Sequence, residues 1–368
     1  MSINIADLRL LNQGIKASKF EAAKDIVSWM GAMQAQDYPM AKWAVGVRLR
    51  GATDKMVEAA LDKGEILRTH LLRPTWHFVS ADDIYWMLEL SRPQIIASMK
   101  FREKWLGLTK AILAKSNRVI EEALSSDRHL TREELIAELN KAKIRTDEYR
   151  SGHLLMRAEL DGIICSGKVR GNKLNETTDS SGRRQTYALL EKRVPNRRAL
   201  SREESLKKLA QRYFSSRGPA TVKDFVWWSG LSMADARNAL EMIRPNFVSE
   251  VVDGNTFWFP NSFTDPPKQS SVLLLPAFDE FLIAYKDRSA AIHHGVKKKL
   301  VSENGVFRST IVVDGRVTGL WKRTVEKDSL VVETKFFREH TKNEKREIQR
   351  AVERFALFRG FEKIDCKI

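Results

Sequence analysis

Three times along the chain, a series of short helical patterns ends in two β-like runs joined by a turn. This recurring order restricts the fold more than any other feature. In the first round Ile5, Leu8, Leu11 and Ile15 share one helical face, and Ala22, Ile26, Val27 and Met30 mark a second. Residues 41–49 read as a third helix after Pro39, and Thr53 caps a fourth that ends at Gly64. Two β-like runs follow, 65–72 and 75–79, with Arg73-Pro74 as the turn because proline presets φ. Short helices ending in a β-hairpin are the pattern of a winged helix, a helix-turn-helix with a wing.

The second round predicts helices at 94–105, 110–125, 131–141 and 151–160, then a strand from Gly162 and its partner at 185–190. The third predicts helices at 202–216, 221–229 and 232–242 and strands at 247–252 and 256–259. The rounds differ in length, so this is repeated architecture rather than a short-period repeat. From about Ser270 the texture becomes strand-rich. Residues 272–275 form an apolar run, and 306–313 and 316–321 flank Asp314-Gly315, a strong hairpin signal. Residues 330–336 read as a strand, and 343–358 as an amphipathic helix. The expected fold class is therefore α+β. It has three tandem winged-helix modules, at 1–90, 91–198 and 199–264, and a small β-rich module at 265–368 closed by a helix.

Lys and Arg outnumber Asp and Glu by 63 to 47, a formal charge of +16 with a pI near 9.8. That excess favours a polyanion, because neutralising phosphates releases counterions. Nine basic residues against three acidic lie between Gly167 and Leu200, including Lys168, Arg170, Arg183 and Arg184. Residues 172–182 are polar and read as a wing tip that lies along a phosphate backbone. Cys165 and Cys366 are too far apart in sequence to suggest a disulfide framework or a CxxC site, so reduced thiols are expected. No secretory signal or membrane-spanning run is legible. A cytoplasmic, nucleoid-associated monomer is expected.

Nucleotide-binding glycine motifs, HExxH and GxSxG are missing, and the histidines are scattered, so neither metal nor cofactor is expected. The remaining candidate is Gln34-Ala35-Gln36-Asp37, between the second and third helices. Pro39 disfavours helix at Tyr38, so the stretch reads as a turn or as extended. In a helix Gln34 and Gln36 would point about 200° apart; in an extended segment they face the same side and reach one ligand or water. The bland alternative is two loop amides bonded to nearby backbone.

Five stretches change the reading: GAMQAQDYP at 31–39, RTHLLRPTWHFV at 68–79, RAELDGIICSG at 157–167, YFSSRGPATVKDFVWWSGL at 213–231 and LLPAFDEFLIAYKDR at 274–288. With them, in this order, the chain resembles the AlkZ/YcaQ family of winged-helix DNA glycosylases. The resemblance implies a C-terminal β-barrel and a catalytic Gln-x-Gln or Gln-x-Asp pair in the first module, here Gln34 and Gln36. The Gln-x-Gln form is similar to the AlkZ branch, associated with bulky N7-alkylguanine adducts and interstrand crosslinks. Pro74 stands where the family carries a glycine.

N7-alkylation leaves a purine cationic and ready to depart. A neutral amide orients water and faces the developing positive charge, but it is no strong base near pH 7. Labile alkylated purines in duplex DNA are the expected substrate, with no lysine Schiff base. Asp37 reads as a helix cap. Arg68, Arg73, Thr75 and His77 on the hairpin are expected DNA contacts, with Trp76 pointing to the core. Arg217 is a further expected phosphate contact, as is Thr221, which caps an anion-favouring helix N-terminus. Trp227-Trp228 reads as core, and Asp279-Glu280 as structural, acting through Tyr285 or Arg288. A non-catalytic winged-helix regulator, reading sequence through the major groove, is the alternative function.

Overall fold

The computed structural model describes residues 3–147, 149–171, 185–262, 271–303, 305–326 and 329–367. The expected Arg183 and Arg184 contacts, and the whole of the expected wing tip at 172–182, lie outside the described residues.

The first unit contains α1 (Ile5–Asn12), α2 (Ala23–Met30), β1 (Ala32–Gln34), α3 (Tyr38–Gly46) and α4 (Asp54–Asp62). The hairpin β2 (Ile66–Leu71) and β3 (Thr75–Ser80) completes it. Asp37 caps α3, its carboxylate accepting from the Met40 N–H at 3.3 Å. Helix therefore begins at Tyr38 rather than beyond Pro39: within the first turn a proline forfeits only an N–H that no helical carbonyl would reach. The short strand β1 joins the hairpin in the order β1-β3-β2.

The second unit opens with α5 (Ile84–Trp105), which runs straight through Pro93. The sequence places a helix only from Gln94, since an interior proline removes a hydrogen bond. Burial on both sides of the proline, of Met87 and Leu90 before it and of Ile95 and Met99 after it, carries the helix across. Then follow α6 (Lys110–Ala123), β4 (Leu130–Thr131), α7 (Arg132–Lys141), α8 (Arg150–Leu160), β5 (Ile164–Ser166), β6 (Thr186–Leu189) and α9 (Leu190–Arg193). The third unit is α10 (Arg202–Arg217), α11 (Val222–Ser229), α12 (Met233–Ile243) and the hairpin β7 (Phe247–Val252) with β8 (Asn255–Pro260). Capping boxes at Thr131, Ser201 and Thr221 start α7, α10 and α11 by satisfying free N–H groups.

The last unit holds β9 (Val272–Leu275), α13 (Glu280–Ile283), α14 (Lys297–Leu300), β10 (Thr310–Val313), β11 (Arg316–Glu326), β12 (Ser329–Phe336), α15 (Lys342–Arg359) and β13 (Lys363–Lys367). The turn between β10 and β11 has Asp314 at φ 49° and Gly315 at φ 78°, as an Asp-Gly hairpin requires. The strands form an open sheet, β13-β12-β11-β10-β9. Among the described residues its edge strands β9 and β13 do not pair, so the expected barrel is corrected there to an open five-stranded sheet covered by α15.

The three largest apolar clusters among the described residues hold the chain together. One joins the first unit to the last: Trp43 packs on Phe355 and Phe358 and donates its indole N–H to the Leu274 carbonyl at 2.8 Å. A second gathers Tyr213, Phe214, Phe225 and Trp228 with Leu71, Leu72, Val79 and Trp86. A third, built on Leu124, Leu135, Leu139 and Leu154, lies within the second unit. The β2–β3 hairpin is shared between the first two, Ile66 and Phe78 in one and Leu67 and Val79 in the other, as period-2 alternation demands.

Candidate active site

An edge strand leaves backbone groups without partners. On one side β1 pairs with β3, Ala32 opposite Val79, Met33 opposite Phe78 and Gln34 opposite His77. On its other side an ion pair stands where a further strand would. Arg217, with no exposed surface, donates from Nη2 to the Ala32 carbonyl at 2.7 Å and from Nη1 to the Met30 carbonyl at 2.6 Å. It also donates to Glu280 Oε2 from Nη2 at 2.7 Å. Glu280 Oε1 accepts from the Gln34 N–H at 2.9 Å, and Trp228 Nε1 donates to its Oε2 at 3.0 Å. Arg217 is thus a scaffold residue rather than the expected phosphate contact. Its charge is neutralised inside the protein, where removing one partner would strand the other.

Asp279 and Glu280 carry the structural role read from the sequence, but through other partners. Asp279 accepts two hydrogen bonds from Arg48, at 2.9 and 2.8 Å, in a fully buried pair. Tyr285 instead donates its hydroxyl to the Arg217 carbonyl at 2.8 Å. Arg288 donates from Nε to the Leu282 carbonyl at 2.7 Å.

Gln34 is half-buried and Gln36 exposed. Arg73, at the hairpin tip, donates from Nη2 to Gln34 Oε1 at 3.3 Å. Burial holds the Arg73 guanidinium below its ordinary pKa, and nearby Glu280 works the other way. Thr69, Thr75 and His77 share the sheet face of Gln34, by the pairing of Gln34 with His77 and of His77 with Thr69. Of these, His77 is wholly enclosed. Burial, then the Arg73 charge, depress its pKa to about 3. Nδ1 lies 2.9 Å from the Thr75 carbonyl, which only accepts, so the proton sits on Nδ1 and Nε2 is a lone-pair acceptor. His77 is therefore no exposed DNA contact, and the expectation is corrected. Its face meets the cluster around Trp228, whereas Trp76 is half-buried on the opposite face, packed against His70 with the rings tilted by 42°.

Arg68 also turns inward. It donates to the Ala35 carbonyl at 2.9 Å and bonds the Gln185 side chain, with its guanidinium 4.2 Å from the Trp76 ring centroid. The Arg68 N–H donates to Ser166 Oγ at 2.8 Å, tying the hairpin to β5. Instead of reaching DNA, the buried Arg68 side chain fixes the backbone that links the two glutamines. Thr221 accepts from the Asp224 N–H at 3.1 Å as the α11 cap. Trp228 is core, as read, but Trp227 is 43% exposed. Lys168 is exposed, as is Arg170, which pairs with Glu134 at 2.8 Å. Glu280 was visible in the sequence only as one of two adjacent carboxylates; nothing local marks its contact with Gln34.

Among the described residues no group of three or more His, Cys, Asp or Glu side chains is arranged to hold a metal ion. No helix among them is long and apolar enough to cross a membrane.

The structure of the Streptomyces sahachiroi DNA glycosylase AlkZ matches with a TM-score of 0.80 over 99% of this chain and 98% of that one, at 19% identity. A curated relative from Streptomyces sahachiroi, an interstrand DNA cross-link repair glycosylase, is 22% identical over 329 residues, 85% of each chain. The family model described as DNA glycosylase AlkZ-like matches residues 27–358. With nearly its whole length matched, including the segment that carries Gln34 and Gln36, the chain belongs to the AlkZ-like family of DNA glycosylases.

Proposed function

We propose that the protein hydrolyses the N-glycosidic bond of alkylated purines in duplex DNA, N7-alkylguanine and its crosslinked forms included, leaving an abasic site. The observation that carries this reading is the pair Gln34 and Gln36 on one short segment whose backbone is held from both sides, by Glu280 and by Arg68. A rigid segment of that kind suits an amide that must meet developing charge without reorganising. The relative named for interstrand cross-link repair supports including crosslinked purines.

In this reading the three helix–hairpin units act as tandem winged-helix modules along the duplex, with Lys168 and Arg170 on phosphates. The enzyme is monofunctional and monomeric. Among the described residues, the side chains bonded to Gln34 or paired opposite it are those of Glu280, Arg73 and His77, and none of these supplies an amine for a Schiff base.

The test is incubation with a duplex carrying one N7-methylguanine, followed by alkaline cleavage of abasic sites. Strand breaks from the wild type, formed far more slowly by Gln34→Ala and Gln36→Ala with binding retained, are expected. Sequence-selective footprints without base release would mark a regulator instead, and borohydride trapping of a covalent complex would overturn monofunctional chemistry.

A further inference from the structure

We infer that Arg73 is a positioning residue for base release: through Nη2 and Gln34 Oε1, 3.3 Å apart, it decides which end of the Gln34 amide faces the DNA. The inference rests on the catalytic reading of Gln34 given above. A guanidinium has donors and no acceptor, so the amide must turn its oxygen toward Arg73 and its –NH2 away. The backbone of Gln34 is already fixed by Glu280. The terminal amide torsion is broad and roughly two-fold, so without Arg73 the oxygen and nitrogen ends exchange at little cost.

With the oxygen held, what Gln34 offers a ligand is mainly N–H. Its amide nitrogen has no acceptor among the described residues, and it is not one of the enclosed atoms left without a partner. An N–H donor suits an acceptor atom of the departing purine, N3 or O6, since N7 is blocked by the adduct. When the C1′–N9 bond breaks, its electron pair stays on N9 and neutralises the cationic base. Water adds to C1′ and releases its proton to solvent. A donor on the purine favours that electron shift. Gln36, exposed and free of this contact, is left to orient the water.

The hairpin tip is built to hold Arg73. Leu72, at φ 59°, is buried against the cluster of Trp228, and its carbonyl faces Gly230, where an added Cβ would stand 2.8 Å from the oxygen. A contact with a phosphate or a minor-groove edge, the role read from the sequence, would not require the tip to be packed in this way.

The test is single-turnover base release and duplex binding for Arg73→Gln, Arg73→Lys, Gln34→Ala and the double variant. Arg73→Gln is expected to slow release about tenfold or more, with Kd and the salt dependence of binding unchanged. Arg73→Lys should recover part of the rate, and Arg73→Gln should cost nothing further in the Gln34→Ala background. A multiplicative loss in the double variant overturns the inference, as does a fall of about one unit in the salt slope, the mark of a lost phosphate contact. A second readout needs no activity: NMR of isotope-labelled glutamine side-chain amides, with Gln34 assigned by its loss in Gln34→Ala. Arg73→Gln should shift the Gln34 signal and leave that of Gln36; an unmoved Gln34 signal overturns the inference. If the wild type releases no alkylated base at all, the proposed function fails, while the NMR result still decides the Arg73 contact.

Discussion

The backbone N–H of Gln34 donates to Glu280 Oε1 at 2.9 Å, across 246 positions of sequence. A carboxylate from the last unit of the chain thereby completes the edge of a strand in the first. The same carboxylate neutralises Arg217, so one side chain settles both an electrostatic and a backbone requirement.

Glu280→Gln should therefore damage stability and catalysis together. It leaves the Arg217 charge without its partner in the interior, a loss of about 3 kcal/mol or more. Chemical denaturation beside single-turnover base release is the check. Wild-type stability in this variant would mean that Arg217 finds its compensation elsewhere.

His77 predicts a pH dependence. Its folded pKa, about 3, lies below the unfolded value of about 6.5, so the unfolded chain binds more protons between those limits. Stability from keeping His77 neutral is complete above pH 6.5 and is lost as pH falls toward 3. The slope approaches ~1.4 kcal/mol per pH unit inside that window. Urea denaturation at pH 7, 6 and 5 should show the decline, and His77→Asn should flatten it. Equal slopes in the two proteins would remove His77 as the cause.

Gly230 closes α11 in the left-handed region at φ 72°. In Gly230→Ala, strain in that conformation costs about 1–2 kcal/mol, and the new Cβ presses on the Leu72 carbonyl at 2.8 Å. Because Leu72 precedes Arg73, base release should slow along with the loss of stability. A variant that loses stability but keeps its full rate would separate the hairpin tip from the site.

Lys168 is exposed on the second unit. Lys168→Gln should lower the slope of log K against log salt by about one unit for any duplex, damaged or not. The rate from the bound state should stay unchanged. Filter binding over a salt series measures the slope, and an unchanged slope removes Lys168 from the phosphate contacts.

The order of helices and hairpins, the Asp314-Gly315 turn and the Asp37 cap were all legible in the sequence, because each is encoded within a few neighbouring residues. The inward turn of Arg68, His77 and Arg217 was not. Period-2 alternation says that a strand has two faces, but the β2–β3 hairpin is covered on both, by different parts of the chain. Which charges are enclosed, and by what partner, depends on segments that meet only after folding. For the same reason α5 crosses Pro93, and the C-terminal strands stop short of a barrel. Propensity is local, whereas burial and edge pairing are settled by contacts hundreds of residues apart.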